Sequence, residues 1–175
     1  MLDKARGLPV DQVFMDIEDA VAPIAKPEAR TNIVAALNEG GYDGKVRTVR
    51  VNDWTTQWTY ADVVEVVEGA GPNLDCIMLP KVQSAAEIVA MDLLLTQVEK
   101  KAGLPNGHIG IEAQIETARG LINVEEICAA SSRLETIIFG PADFAASIEM
   151  PVLTGGVQID EYPGDHFHYV FSKIL

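Results

Sequence analysis

The chain has 175 residues, of which 48% are hydrophobic and 22% are charged; this composition is that of an ordinary globular domain and excludes wholesale disorder. No apolar run approaches the ~20 residues of a membrane-spanning helix, and the first residues lack the apolar stretch of a secretory signal. There are 13 basic and 26 acidic residues, a net charge of −13, so the surface should repel nucleic acid. Cys76 and Cys128 are far apart in the sequence and lie in apolar segments. We expect both to be reduced and to lie in the hydrophobic core. The simplest interpretation is a cytoplasmic protein that binds neither nucleic acid nor membrane.

Short apolar runs rich in β-branched residues alternate along the chain with longer stretches of helical periodicity. The runs that predict strands cover residues 13–17, 46–51, 76–79, 109–115 and 136–139. The stretches that predict helices cover residues 26–39, 60–70, about 85–101 and 118–130, with a short helix after residue 143 and a last one opening near residue 165. Ser84 followed by Glu87 forms a capping box, which marks the start of the third of these helices.

A strand and a helix that alternate about every 30 residues indicate βαβ units and therefore a parallel sheet. The two possible arrangements are an open doubly wound sheet and a (β/α)8 barrel. No glycine-rich nucleotide-binding loop follows any predicted strand, which weakens the first arrangement. Polar side chains cluster where the strands end, which is where a barrel keeps its chemistry. These residues are Glu18, Asp19, Arg50, Asn52, Lys81, Glu116 and Asp143.

The number of strands is too small for a complete barrel. Five strands are predicted, whereas such a barrel has eight and spans about 250 residues. Residues 3–5 resemble the end of a helix with no strand before it, and no strand follows the last predicted helix. We therefore expect residues 1–175 to form a single partial TIM-barrel catalytic domain of the α/β class, truncated at both ends and without an internal boundary.

Glu116 and Asp143 each follow an apolar strand closely and would reach the same barrel mouth. Two carboxylates with water and an anionic substrate suit Mg²⁺, which prefers oxygen ligands and keeps several waters. The alternative is structural: Glu116 would be a carboxylate in the first turn of a helix, and Asp143 an N-cap.

Asp16, Glu18 and Asp19 form a compact acidic cluster that requires a compensating positive charge. A metal-bound water or a neighbouring arginine would supply this compensation. In the structural alternative, one Asp points inward and the other acidic side chains are solvated. Arg50 lies near the end of the second strand, where it could grip a carboxylate or a thioester carbonyl, or form a structural ion pair with Glu18 and Asp19. Lys81 could have a similar role, although nothing nearby marks it as a Schiff-base lysine.

Five ordered motifs resemble the HpcH/HpaI aldolase and citrate lyase β-subunit family, and within it the CoA-ester lyases of the malyl-CoA lyase type. The motifs are DIEDAV at 16–21 with Lys26, Ala29 and Arg30; RVN at 50–52; LPKV at 79–82; IETARG at 115–120; and GPADF at 140–144.

This resemblance implies a (β/α)8 barrel in an enzyme that is usually a homo-oligomer, with Mg²⁺, or Mn²⁺ in its place, at the barrel mouth. Glu116 and Asp143 match the metal-binding carboxylates of the family. Glu18 and Asp19 match the catalytic pair that holds metal-bound waters. Arg50 matches the catalytic arginine that also binds the substrate.

The resemblance also implies how the substrates, an acyl-CoA thioester and a small 2-oxoacid, would be bound. Lys4 falls where the family has a basic residue near the CoA phosphates. The backbone N–H groups of Ala142 and Asp143, at a helix start, could hold a carboxylate such as that of glyoxylate. The family's first strand with its basic loop, and its acidic C-terminal segment, have no counterpart in this chain, so we expect activity to require more than these residues.

The implied reaction is reversible carbon–carbon cleavage of a 3-hydroxyacyl-CoA, for example malyl-CoA to acetyl-CoA and glyoxylate. Mg²⁺ would act as a Lewis acid on the 2-oxoacid, Arg50 would stabilise the enolate, and a general base would take the hydroxyl proton. Alternatives at the same site are cleavage of citramalyl-, β-methylmalyl- or citryl-CoA, and hydrolysis of malyl-CoA. An alternative of another class is a non-catalytic truncated subunit or assembly partner.

Overall fold

A computed structural model describes residues 2–150 and 164–175. Within them the strands are β1 (Gln12–Asp16), β2 (Val46–Arg50), β3 (Cys76–Leu79), β4 (Gly110–Ile115) and β5 (Leu134–Phe139). The α-helices are α1 (Leu2–Arg6), α2 (Lys26–Glu39), α3 (Thr59–Ala70), α4 (Ala85–Ala102), α5 (Ala118–Ile122), α6 (Val124–Cys128), α7 (Pro141–Ser147) and α8 (His168–Ile174). None of the helices in these two ranges combines the length and the apolar character needed to cross a bilayer.

The five strands form one parallel sheet in the order β1-β2-β3-β4-β5. A doubly wound sheet would reverse its strand order at a switch point, whereas consecutive order is that of a (β/α)8 barrel. Each connection runs from one strand to its immediate neighbour. Such connections are right-handed as a rule, so the connecting helices cover one face of the sheet. In the described ranges β1 and β5 each pair on one side only, so the sheet is an open part of a barrel, as predicted.

The hydrophobic core lies between the sheet and the helices that cover it. Alternate strand residues such as Val49 and Ile77 point outward and are completely buried against Val66 and Val67 of α3. The residues between them point to the opposite face, because side chains alternate along a strand. This second face carries polar side chains as well as Phe14 and Met78, and becomes the interior of the barrel.

Polar side chains on the interior face bind one another across the sheet. The side-chain amide of Gln12 donates to Glu112 Oε1 at 2.8 Å and to Thr48 Oγ1 at 3.0 Å. Burial raises the pKa of Glu112 above its ordinary value, although the hydrogen bonds from Gln12 and Thr48 oppose the shift. Polar contacts across the sheet therefore contribute to this interior.

A buried ion pair stabilises the opposite, amino-terminal end of the sheet. Arg133, just before β5, donates through Nη1 and Nη2 to the two oxygens of Glu99 at 2.8 and 2.7 Å, and through Nε to Asp92 at 2.6 Å. The Glu99 side chain is 0% exposed. It also accepts from the backbone N–H groups of Gly107 and Ile109, which lead into β4. The pair thus joins the end of α4 to the starts of two strands.

Two sequence-based expectations were wrong in detail. The predicted helix over 118–130 is interrupted at Asn123, whose side chain donates to the carbonyl of Gln83 at 2.8 Å and whose ψ of 10° leaves the helical range. Cys128 is exposed rather than in the core, because it lies on the outer side of α6. Cys76 is buried as expected, and burial raises the pKa of its thiol to about 12.

Candidate active site

The polar residues predicted from the sequence lie together at the carboxyl ends of the strands. Asp16 and Arg50 are the last residues of β1 and β2. Lys81 follows β3, Glu116 directly follows β4, and Asp143 lies in the first turn of α7 after β5. Because parallel strands present their carboxyl ends at one edge, these five residues share the mouth of the barrel.

Arg50 is held by Asp16 in a two-point pair. Its Nε donates to Asp16 Oδ1 at 2.8 Å and its Nη2 to Oδ2 at 2.6 Å, while Nη1 lies 3.4 Å from Glu18 Oε2. Burial by itself raises the pKa of Asp16, but the bonds from Arg50 and from two backbone N–H groups outweigh it and hold that pKa low. Sequence reasoning placed Asp16 in the acidic cluster without assigning this pairing. Arg50 therefore enters the site as a guanidinium fixed in orientation.

Lys81 contacts three carboxylates of the mouth. Its Nζ pairs with Glu18 Oε1, and lies 3.4 Å from Asp143 Oδ2 and 3.8 Å from Asp19 Oδ2. Burial alone would lower the pKa of Lys81, but these carboxylates more than offset it and raise that pKa above its usual value. Sequence reasoning assigned Lys81 no definite role; its position after a predicted strand and the LPKV motif at 79–82 were the signals that pointed to it.

Glu116 is 1% exposed and both of its carboxylate oxygens are oriented by hydrogen bonds. Oε1 accepts from the backbone N–H of Lys81 at 2.9 Å, and Oε2 accepts from the side-chain amide of Gln114 at 2.7 Å. Burial raises the pKa of Glu116 to about 7, with a further contribution from the charge of Asp143; the Lys81 N–H opposes both. A cation near Glu116 would favour its ionised form.

The oxygen donors at the mouth fit a divalent cation that retains water. Within residues 2–150 and 164–175, no three Asp, Glu, His or Cys side chains converge closely enough to enclose an ion. Mg²⁺ does not require that, because one or two carboxylates with substrate and water satisfy it. Glu116 and Asp143 would supply such a pair. In addition, the buried Glu18 Oε2 and Gln114 Oε1 have no hydrogen-bond partner. Hard oxygen donors with unused capacity are suited to Mg²⁺ or Mn²⁺.

The HpcH/HpaI aldolase/citrate lyase family matches residues 1–160 of the sequence. The chain belongs to this family. An L-malyl-CoA/beta-methylmalyl-CoA lyase of Cereibacter sphaeroides is 42% identical over 163 residues, which are 93% of this chain and 51% of that protein. A (3S)-malyl-CoA thioesterase of the same species is 36% identical over 147 residues, 84% of this chain and 46% of that protein. The chain thus spans about half the length of the curated relatives it matches.

A solved structure supports the same fold. Malate synthase of Haloferax volcanii, in a magnesium/glyoxylate complex, matches with a TM-score of 0.76 at 23% identity, over 85% of this chain and 48% of that one. Together with the consecutive strand order, the likeness confirms the predicted α/β fold of the HpcH/HpaI chain as part of a (β/α)8 barrel.

Of the remaining residues expected from the family resemblance, Asp19 and Ala142 lie at the rim of the mouth, and Lys4 lies on α1. Asp19 has 61% of its side chain exposed. Ala142 is exposed and lies with Asp143 in the first turn of α7. Lys4, on α1, is exposed beside a cleft of about 550 Å³ whose wall also includes Asp16. The roles of these residues in substrate or water binding remain predictions.

Gly140 lets Glu116 approach the backbone at the end of β5. A Cβ at this position would lie 2.2 Å from Glu116 Oε2 and 2.9 Å from Gln114 Nε2. We expect Gly140→Ala to displace the carboxylate and lower the free energy of unfolding by about 1–3 kcal/mol, the usual cost of overpacking. Urea denaturation measures this. Gly7→Ala is the control, since its Cβ would meet only Lys4 O at 4.0 Å; equal stability of the two variants would contradict the close approach.

Proposed function

We propose that the protein is a Mg²⁺-dependent CoA-ester lyase, which cleaves a 3-hydroxyacyl-CoA such as malyl-CoA to acetyl-CoA and a 2-oxoacid such as glyoxylate, or runs in reverse. The observation that carries the proposal is the position of Arg50 at the same mouth as Glu116 and Asp143. The lyase named among its relatives supports the substrate class.

Glu116 and Asp143 would hold the divalent cation, and Glu18 and Asp19 would orient its waters. The bound ion supplies Lewis-acid stabilisation of negative charge on the 2-oxoacid oxygen. Two protein carboxylates would leave positions on the cation for substrate and water, as a catalytic site requires. Mn²⁺ would be accepted in place of Mg²⁺, because the donors are all oxygen.

Arg50 would stabilise the enolate that forms on the acetyl-CoA side. Asp16 fixes its Nε and Nη2, so the Nη1 side of the guanidinium faces Glu18 and the mouth. The guanidinium is already oriented before negative charge develops on the thioester oxygen. It therefore need not reorient in the transition state, which lowers the activation barrier. The buried carboxylates nearby keep the guanidinium charged.

The rim and α1 would bind the outer parts of the substrates. The N–H groups of Ala142 and Asp143 would hold the 2-oxoacid carboxylate, and Lys4 would lie near the CoA phosphates. We further propose a homo-oligomer in the cytoplasm, with residues 1–175 contributing to a single catalytic domain. Two cysteines that form no disulfide in the described part of the chain support that location.

Calorimetric titration with Mg²⁺ tests the site before any rate is measured. We expect the wild-type chain to bind Mg²⁺ and both Glu116→Gln and Asp143→Asn to weaken binding at least tenfold, since each removes a charged ligand. Glu126→Gln, an exposed substitution on α6 with the same change of charge, is the control and should bind as wild type. A folded wild-type chain with no measurable affinity would contradict the proposed metal site.

Hydrolysis of malyl-CoA is the second candidate, because a thioesterase is also among the relatives. Product analysis separates the reactions. A lyase yields glyoxylate and acetyl-CoA, whereas a thioesterase yields malate and free CoA. Pyruvate as the product from citramalyl-CoA would extend the lyase specificity. Mg²⁺ binding without turnover of any thioester would favour the non-catalytic subunit.

A further inference from the structure

The backbone of Lys81 adopts a conformation that is costly for a residue with a side chain. Its φ is 53°, in the left-handed region, where a non-glycine residue is uncommon. In this conformation its N–H donates to Glu116 Oε1 at 2.9 Å. Such strain persists only where surrounding contacts enforce it, and it concentrates at functional sites.

The other end of Lys81 lies among the remaining carboxylates. Its Nζ contacts Glu18, which is 5% exposed, as well as Asp143 and Asp19. Without this ammonium, Glu18 would retain only the 3.4 Å contact of one oxygen with Arg50. Buried carboxylates without a compensating charge carry a large desolvation penalty. A single residue therefore holds Glu116 through its backbone and three other acids through its side chain.

We propose that Lys81 is a positioning residue and the internal counter-ion of the metal-free site, and that its ammonium withdraws from Asp143 when a divalent cation binds. This inference rests on the proposed function insofar as the cation binds at Glu116 and Asp143.

The two attachments of Lys81 allow this exchange. A divalent cation on Asp143 would meet an ammonium that lies 3.4 Å from Asp143 Oδ2, and the two positive charges would repel each other. The flexible four-carbon stem lets the ammonium move toward Glu18 and Asp19. The backbone N–H of Lys81 need not move with the ammonium. Glu116 therefore keeps its orientation while the divalent cation replaces the ammonium beside Asp143.

The test compares Lys81→Met with Lys101→Met. Methionine keeps the backbone N–H and a similar unbranched stem but carries no charge. Lys101 is 70% exposed and pairs with Glu68 at 2.8 Å, so its variant removes one positive charge away from the site. We expect Lys81→Met to bind Mg²⁺ about tenfold more tightly than wild type in calorimetry, because the competing charge is gone. Lys101→Met should bind as wild type.

Thermal unfolding in chelator supplies a readout that needs no metal. We expect Lys81→Met to unfold at a lower temperature than wild type, and added NaCl or a second substitution, Glu18→Gln, to recover part of the loss by reducing repulsion. Unchanged or weaker Mg²⁺ affinity in Lys81→Met would overturn the exchange. Unfolding of Lys81→Met at the same temperature as Lys101→Met would overturn the counter-ion role.

The two readouts also separate this inference from the proposed function. If neither wild type nor Lys81→Met binds Mg²⁺, the proposed metal site fails and the exchange fails with it. A stability loss that Glu18→Gln relieves would then still support the counter-ion role, and its absence would overturn that role too.

Discussion

Substitution of Arg50 by Lys is expected to lower kcat/KM for malyl-CoA cleavage by about 10²–10³-fold, the range seen when a donor to a developing oxyanion is removed. Lysine retains the positive charge but loses the planar fork that pairs with Asp16 through Nε and Nη2. The remaining ammonium cannot both bind Asp16 and present a fixed donor to the thioester oxygen. Steady-state kinetics on the assembled protein with saturating Mg²⁺ measures the effect.

Arg47→Lys is the matched control for this experiment. Arg47 lies on the same strand and makes the same kind of two-point pair, through Nε and Nη2 to Asp75 at 2.7 and 2.8 Å. It lies at the amino end of β2, away from the mouth. We expect its variant to keep near-wild-type kcat/KM. An Arg50→Lys enzyme that is no slower than Arg47→Lys would exclude a substrate role for the guanidinium.

Substitution of Arg133 by Met is expected to lower the free energy of unfolding by about 3–5 kcal/mol, because it leaves a buried carboxylate uncompensated. Glu99 is 0% exposed and would lose both guanidinium hydrogen bonds. Urea denaturation at pH 7 gives the value. The double variant Glu99→Gln/Arg133→Met should recover much of the loss, since no buried charge remains; a double variant as unstable as the sum of the single variants would show that the pair does not interact.

The pH dependence of unfolding gives an independent check on this pair. Burial alone would raise the pKa of Glu99, but Arg133 and two backbone N–H groups outweigh it and lower that pKa below its ordinary value of 4.5. The pair's contribution is therefore fully present above about pH 4.5 and lost as the pH falls through the lower folded-state pKa. The stability difference between wild type and Arg133→Met should narrow in acid.

Local sequence signals predicted the elements whose boundaries depend on local chemistry. The helix over 26–39 and the strand over 76–79 were predicted with the bounds that the structure has. Gly40, with a φ of 75°, ends the helix as its sequence position indicated. The alternation of strands and helices then allowed only two sheet arrangements, and the polar residues after each strand favoured the correct one.

Most contacts between distant residues could not be predicted in this way; the exception is the ion pair of Arg50 with Glu18, which sequence reasoning offered as one alternative. The Lys81 to Glu18 pair joins residues 63 apart, and the Arg50 to Asp16 pair joins residues 34 apart. Strand order brings these side chains to one edge, but their pairing depends on side-chain length and on the left-handed turn at Lys81. The interruption at Asn123 has a similar origin, because its partner Gln83 lies on another loop. Sequence periodicity contains no information on these side-chain pairings or on the interruption at Asn123.

The ion pairs at the two ends of the sheet are expected to differ in the effects of mutation. Arg133 with Glu99 and Arg47 with Asp75 lie at the amino ends of the strands, and Arg50 with Lys81 and their acids lie at the carboxyl ends. We expect mutations at the amino ends to change stability alone, and mutations at the carboxyl ends to change the proposed activity as well as stability. A lineage could therefore acquire a new substrate at one end while stabilising substitutions accumulate independently at the other.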